Sequence, residues 1–298
     1  MHTTISTRSV ARCVFPRAAV ALALVAGVAC GSSTPTSGLP QAASVTIDPP
    51  ASTVTTGDSV QLSAVAKDAS GTVLTGATFA WSSSDTDAAP VSATGVVGAF
   101  LPVTATITAK SGSASNTAMV TVQAAASVAL HEGGIIGTVT FPNGNTANGG
   151  QGSAVDTIPC GSGTDAEHYH VHMSLIVNGQ QMAIPLGIGI MNAFLRGDSL
   201  AIAGTCFYWL HSHDRTGIIH VEPAVTGRTF TLGEYFDIWG EPLTTGNVAG
   251  NTGPVTVYVN GARYFGDPRA IQLAAHQEIT LEVGTRVAPP TYTFPADY

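Results

Sequence analysis

From Ser44 onward the chain alternates apolar and polar residues in short runs. Among them are SVTID at 44–48, SVQLSAVAKD at 59–68, TFAWSSSD at 78–85, ATITAK at 105–110 and AMVTV at 118–122. Gly, Ser, Asp and Pro split these runs, and no 3.6-residue period joins them, so the segment predicts an all-β sandwich. Beyond residue 126 the pattern changes. Two Asn-Gly pairs, Asn178-Gly179 in LIVNGQQMAI and Asn260-Gly261 in VYVNGARYF, lie between alternating runs. Each supplies the two positive φ values of a type I′ turn, which predicts two hairpins. One helix is expected, over Leu232–Trp239. Thr231 and Glu234 form a capping box at its start, Gly240 stops it, and Leu232, Tyr235, Phe236 and Trp239 face inward. The fold class is mainly all-β: one β-sandwich, then a second antiparallel β sandwich or barrel with one short helix.

Composition narrows the function classes. Of 298 residues, 44% are hydrophobic and 10% charged, which excludes a disordered polyelectrolyte and a coiled coil. A formal charge of −8 argues against a nucleic-acid partner. The length suits two domains. At the start, Arg8, Arg12 and Arg17 precede an unbroken small and apolar run, Ala18 to Ala29, too short to span a bilayer. Residues 1–29 therefore read as a signal peptide. Cys30-Gly31-Ser32-Ser33 follows at once, and this junction resembles a bacterial lipoprotein signal, which implies lipidation of Cys30 and membrane attachment through the lipid alone. An ordinary secretory signal cut near Ala29 is the alternative; export follows either way. Residues 30–41, rich in Ser, Thr, Pro and Gly, read as a flexible tether.

Residues 42–125 carry Val45-x-Ile47-x-Pro49, Gly57-Asp58, Lys67-Asp68 with Gly71, Phe79-x-Trp81-x-Ser83 and Ala105-Thr-Ile-Thr-Ala109. These motifs resemble the bacterial Ig-like family, group 2. The resemblance implies an Ig-like β-sandwich with Trp81 buried between its sheets, rather than a ligand-stacking Trp. The segment holds no His or Cys and shows no evident chemistry. Its expected role is a spacer or adhesive unit, with a cell-surface partner.

Residues 126–298 carry the chemistry. Six of the nine His fall between His168 and His220. In HYHVHMS, a strand places His168, His170, His172 and Ser174 on one face and Tyr169, Val171, Met173 and Leu175 on the core face. If Asp214 to Gly217 form a four-residue turn, His211 lies opposite His220 and Trp209 opposite Glu222. His211, His213 and His220 then share a face, with directly opposed Cβ atoms about 4.5 to 5.5 Å apart. A three-residue loop would turn His220 away. Cys160 and Cys206 are expected to form a disulfide in an exported chain; a thiolate metal site is the alternative. His131 and His276 stand alone. Gly187-Ile-Gly189 reads as a tight bend rather than a nucleotide fingerprint, and Ser212-His213-Asp214 is contiguous and cannot converge as a triad.

Clustered imidazoles with carboxylates nearby suit copper or zinc rather than magnesium or calcium. Met173, Met182 and Met191 would favour copper, although Met173 falls on the core face. Four motifs also stand between Cys160 and Glu282: H-x-H-x-H, I-P-x-G-I-G-I, C-x-Y-W-L-H-x-H-D-x-x-G-I-I-H-x-E and F-T-L-G-x-x-F-D-x-W-G. This stretch resembles a group of secreted bacterial proteins of uncharacterised activity, so the resemblance marks the His set without naming a reaction. The metal-ligand candidates are His168, His170, His172, His211, His213 and His220. Glu222 and Asp214 are the candidate supporting carboxylates or catalytic proton acceptors. Storage or transport of the metal, metal-dependent hydrolysis, hydration or oxidation, and a metal-free adhesive or structural role are the competing functions.

Overall fold

In the Ig-like segment, alternation becomes burial. Along the strand Val103–Ser111, Ala105, Ile107 and Ala109 turn inward while their neighbours are more exposed. This strand pairs with Ala80–Ser83 on one side and Ala114–Gln123 on the other, and the latter pairs in parallel with Ala51–Thr55. Two shorter pairs, Ser44–Asp48 with Ser63–Lys67 and Ser59–Gln61 with Val96–Gly98, close over the same core. Leu62, Val97, Ile107 and Val120 are among its fully buried members. Trp81 packs against this core half-buried, not enclosed as expected, because Ala80–Ser83 is the outermost strand of its sheet.

This computed structural model describes residues 41–143, 149–162 and 165–298. The expected signal peptide 1–29, the Cys30 lipidation site and all of the tether but Gln41 lie outside the described residues. Among the described residues, no helix is long and apolar enough to cross a membrane.

The larger sheet runs in the order Leu210–His211, Ile218–Val221, Tyr169–Val177, Glu278–Val283, Val255–Val259, Ala262–Tyr264, with Gln180–Met182 pairing beside Tyr169–Val177. Both Asn-Gly hairpins are present, and Asn178, Gly179, Asn260 and Gly261 all have positive φ. The helix spans Leu232–Trp239, with the Thr231–Glu234 capping box at its start and Gly240 in the left-handed region at its end. One pairing departs from an antiparallel order. Tyr169–Val177 and Glu278–Val283 run parallel, which no tight turn can produce and the roughly hundred-residue connection between them allows.

The two faces of Tyr169–Val177 meet different material. Val171, Met173 and Leu175 join Phe236, Trp239, Ile219 and Leu281 in the main core. His170, His172 and Ser174 are buried too, beneath aromatic residues of the C-terminal segment: Tyr298 stacks on His170, and Tyr292 lies tilted against His172. A disulfide joins Cys160 to Cys206, whose Cα atoms are 5.4 Å apart, across the paired strands Cys160–Gly161 and Cys206–Tyr208.

Candidate metal centre

The turn between the two His-bearing strands sets the geometry. Asp214 Oδ1 accepts the Thr216 amide at 2.9 Å and the Thr216 hydroxyl, while Oδ2 accepts the Gly133 amide at 2.8 Å. Gly217 follows with φ 92°, and a Cβ there would lie 2.2 Å from the Met173 carbonyl oxygen, so only glycine fits. With this turn His211 pairs directly with His220, and the Glu222 amide donates to Trp209 O at 2.8 Å. The register is the one a four-residue turn requires. Asp214 is thus committed to the turn and lies outside the ligand groups.

Backbone carbonyls then decide which nitrogens are bare. His211 Nδ1 donates to Tyr208 O at 2.8 Å, and His213 Nδ1 donates to Ala201 O at 2.6 Å. A carbonyl only accepts, so each Nδ1 carries a hydrogen, and in the neutral form of the rings both Nε2 atoms present lone pairs. Those two Nε2 atoms face each other at 3.1 Å. Glu222 Oε2 lies 3.6 Å from His211 Nε2. Two lone pairs and a carboxylate oxygen therefore converge with no hydrogen between the nitrogens, an arrangement a cation relieves.

A second group adjoins the first. His168 Nε2 is 3.1 Å from His170 Nε2, which is 3.1 Å from His220 Nδ1. Glu222 Oε1 is 3.0 Å from His168 Nε2 and 3.1 Å from His220 Nδ1. His211, His213, His220 and Glu222 form one set able to hold an ion, and His168, His170 and His220 another; Asp165, His168 and Glu222 make a third, more exposed set.

Burial keeps the inner rings neutral, which is the ligand form of imidazole. It lowers His211 to about 3, with help from neighbouring His220 and His213. The same cause, with His213, His170 and His168 adding to it, lowers His220 to about 2. Burial and then His168 lower His170 to about 4.

Five of the six predicted His thus come together. His172 stands aside: its Nε2 donates to Thr216 O at 2.8 Å, and its ring lies 3.9 Å from that of Tyr292. Burial lowers its pKa to about 4. His276 donates from Nε2 to Tyr298 O at 2.7 Å and joins none of the groups. Sequence reasoning missed Asp165, which sits among loop residues with no pattern, and Tyr298, whose ring lies 4.2 Å from that of His170. It also underrated Glu222, which touches three imidazoles. The alternation that placed Trp209 across from it was the available signal.

A cavity of about 440 Å³ opens onto His211, His213 and Glu222. Phe207, Tyr208 and Trp209 form its aromatic wall, and Asp165 lies at its edge. One side of the first group is therefore reachable from solvent.

Comparison with known proteins bears on the other part of the chain. Residues 41–127 match the bacterial Ig-like domain, group 2. The Ig-like segment is therefore a member of that family. Similar solved chains include three from the surface layer protein SbsC. Its domains 1–6 are 25% identical, covering 30% of this chain, with a TM-score of 0.28. Domains 4 and 5 are 25% identical over 28% of this chain, at 0.26. Domains 4–9 are 14% identical over 82%, at 0.27. The chain spans 14%, 53% and 32% of those chains, respectively. No curated protein matches the chain.

Proposed function

We propose that this is an exported, cell-surface protein in which residues 126–298 form a domain that binds a transition metal, copper or zinc. Residues 42–125 act as its spacer, and Cys30, once lipidated after removal of residues 1–29, anchors it. The observation that carries the metal reading is the pair of bare Nε2 atoms of His211 and His213, held 3.1 Å apart by carbonyl bonds on their far nitrogens. Three imidazoles and a carboxylate are a donor set that zinc and copper accept. The bacterial Ig-like domain supports the surface location and a partner there.

Metal analysis of untagged protein tests this. About one equivalent or more of zinc or copper is expected, and less than a tenth of an equivalent after reconstitution overturns it. His211→Ala should lower the affinity at least about 100-fold while the folded state survives.

The cavity favours catalysis over storage as the use of the metal. It leaves His211, His213 and Glu222 open on one side, beside Phe207 and Trp209. A bound zinc would supply an acidic water, and a bound copper would supply redox chemistry toward oxygen. A metal-loaded protein with no hydrolytic, hydration or oxidase activity against a broad substrate panel would return the reading to storage.

A further inference from the structure

The two His groups share His220, and the two oxygens of Glu222 face different members of them. His168 Nε2, His170 Nε2, His220 Nδ1 and Glu222 Oε1 close a four-membered ring with edges of 3.1, 3.1, 3.1 and 3.0 Å. Three ring nitrogens carry at most three hydrogens, one each, so they cannot place a separate hydrogen on all four edges. Ligand atoms that share one ion at about 2.0 to 2.2 Å are themselves roughly 3 Å apart, the spacing of these edges. The second oxygen, Glu222 Oε2, points to the other group, 3.6 Å from His211 Nε2.

We propose that the centre holds two metal ions, with Glu222 bridging them. One ion sits among His211 Nε2, His213 Nε2 and Glu222 Oε2 beside the cavity; the other sits in the ring of His168, His170, His220 and Glu222 Oε1. A carboxylate with one oxygen on each ion suits a separation of about 3.5 to 4 Å, the spacing of two-metal sites that clamp and activate one substrate. The ions differ in access. The first faces the cavity, while the second is roofed by Tyr298 and reached past the half-exposed His168. This rests on the metal-binding reading above and deepens it.

The test is stoichiometry on the full exported chain, stripped with chelator and titrated separately with Zn(II) and Cu(II). Two equivalents are expected. His168→Ala, at a side chain 48% exposed and so safe for the fold, should weaken one equivalent about 100-fold or more and leave the other tight. Glu222→Gln should weaken both. In the Cu(II)-loaded protein the spins should couple across the carboxylate, so the integrated paramagnetic signal falls below the copper content. A single equivalent in the parent overturns the two-ion centre but leaves the metal reading intact. So does an unchanged second equivalent in His168→Ala, or an uncoupled signal accounting for all the copper. No binding at all overturns both.

Discussion

The Ig-like region and the His-rich region are both built from short strands around an apolar core, yet the second also buries a set of polar side chains. Among the described residues, Ser111 is the one buried polar side chain of residues 41–125, against twelve in residues 126–298. These include His170, His172, His211, His220, Asp214 and Glu282. Burying polar groups is costly unless they are partnered, so a fold selected for stability alone avoids it. The first region follows that rule and its alternation is enough to explain it. The second departs from it on the sheet face of His170, His172, Ser174, His211 and His220 and in the 212–216 turn beside it, and that departure locates the chemistry.

Acid should separate the two regions most strongly. In metal-free protein His172 has a pKa of about 4 against an ordinary 6.5, because burial disfavours the imidazolium. Between those values the unfolded chain binds a proton that the folded chain does not. The contribution of His172 to stability is therefore complete above about pH 6.5 and is lost as the pH falls toward 4. His172 alone accounts for about 3 kcal/mol. His170, His211 and His220 shift in the same direction, so their contributions add to it. The Ig-like region has no His to titrate. Calorimetry from pH 7 to 4 should show one transition moving steeply down and another nearly fixed; two transitions that move together would erase the contrast.

The disulfide is the next lever. Cys160 and Cys206 are 46 residues apart, and closing a loop of that size restricts the unfolded chain by an amount worth about 4 kcal/mol. Replacing both with Ala should lower the midpoint of the His-rich transition and leave the other in place. A joint shift would mean that the two cores unfold as one.

Much of this was legible from the residues themselves. The helix caps, the two Asn-Gly hairpins and the pairing of His211 with His220 each rest on local chemistry, a turn residue or a parity, and these survive any packing. What was not legible depended on distant chain. The parallel pairing of His172 with Glu278 has no local sign, nor does the cover that Tyr292 and Tyr298 lay over the His face. His172 shows the limit: alternation placed it on the right face, but only the fold directs its ring to Thr216 O instead of the other imidazoles.

Glu282 sharpens the comparison from the opposite side. It is buried, Oε1 accepts the Val287 amide at 3.3 Å, and Oε2 has no partner. Desolvation raises its pKa from 4.5 to about 7, opposed by the Val287 bond and by Arg286 and Arg263. Here the folded state keeps a proton that the unfolded state releases, so stability falls as the pH rises from about 4.5 to 7 and stays reduced above. Glu282→Gln should therefore stabilise the His-rich region by about 3 kcal/mol at pH 8 and change little at pH 4.5. Equal effects at both pH values would sink the assignment of a raised pKa.

The smallest expected effect asks whether the His-rich region also contains parts that obey only the stability rule. The Leu232–Trp239 helix packs Phe236 and Trp239 into the main core, on the side of the sheet away from the imidazoles. Thr231 Oγ1 accepts the Glu234 amide at 3.3 Å, and Glu234 Oε2 accepts the Thr231 amide at 2.7 Å, so two backbone donors at the helix start are satisfied reciprocally. Thr231→Ala removes the first bond and should cost about 1 kcal/mol. Because the cap touches no ligand atom, metal stoichiometry and affinity should not change. A loss of metal in this variant would mean that the helix positions the site through the core, through the bond between Tyr235 Oη and Ser212 Oγ at 2.8 Å. An unchanged site would show that the polar face and the apolar core of the same sheet are energetically separable.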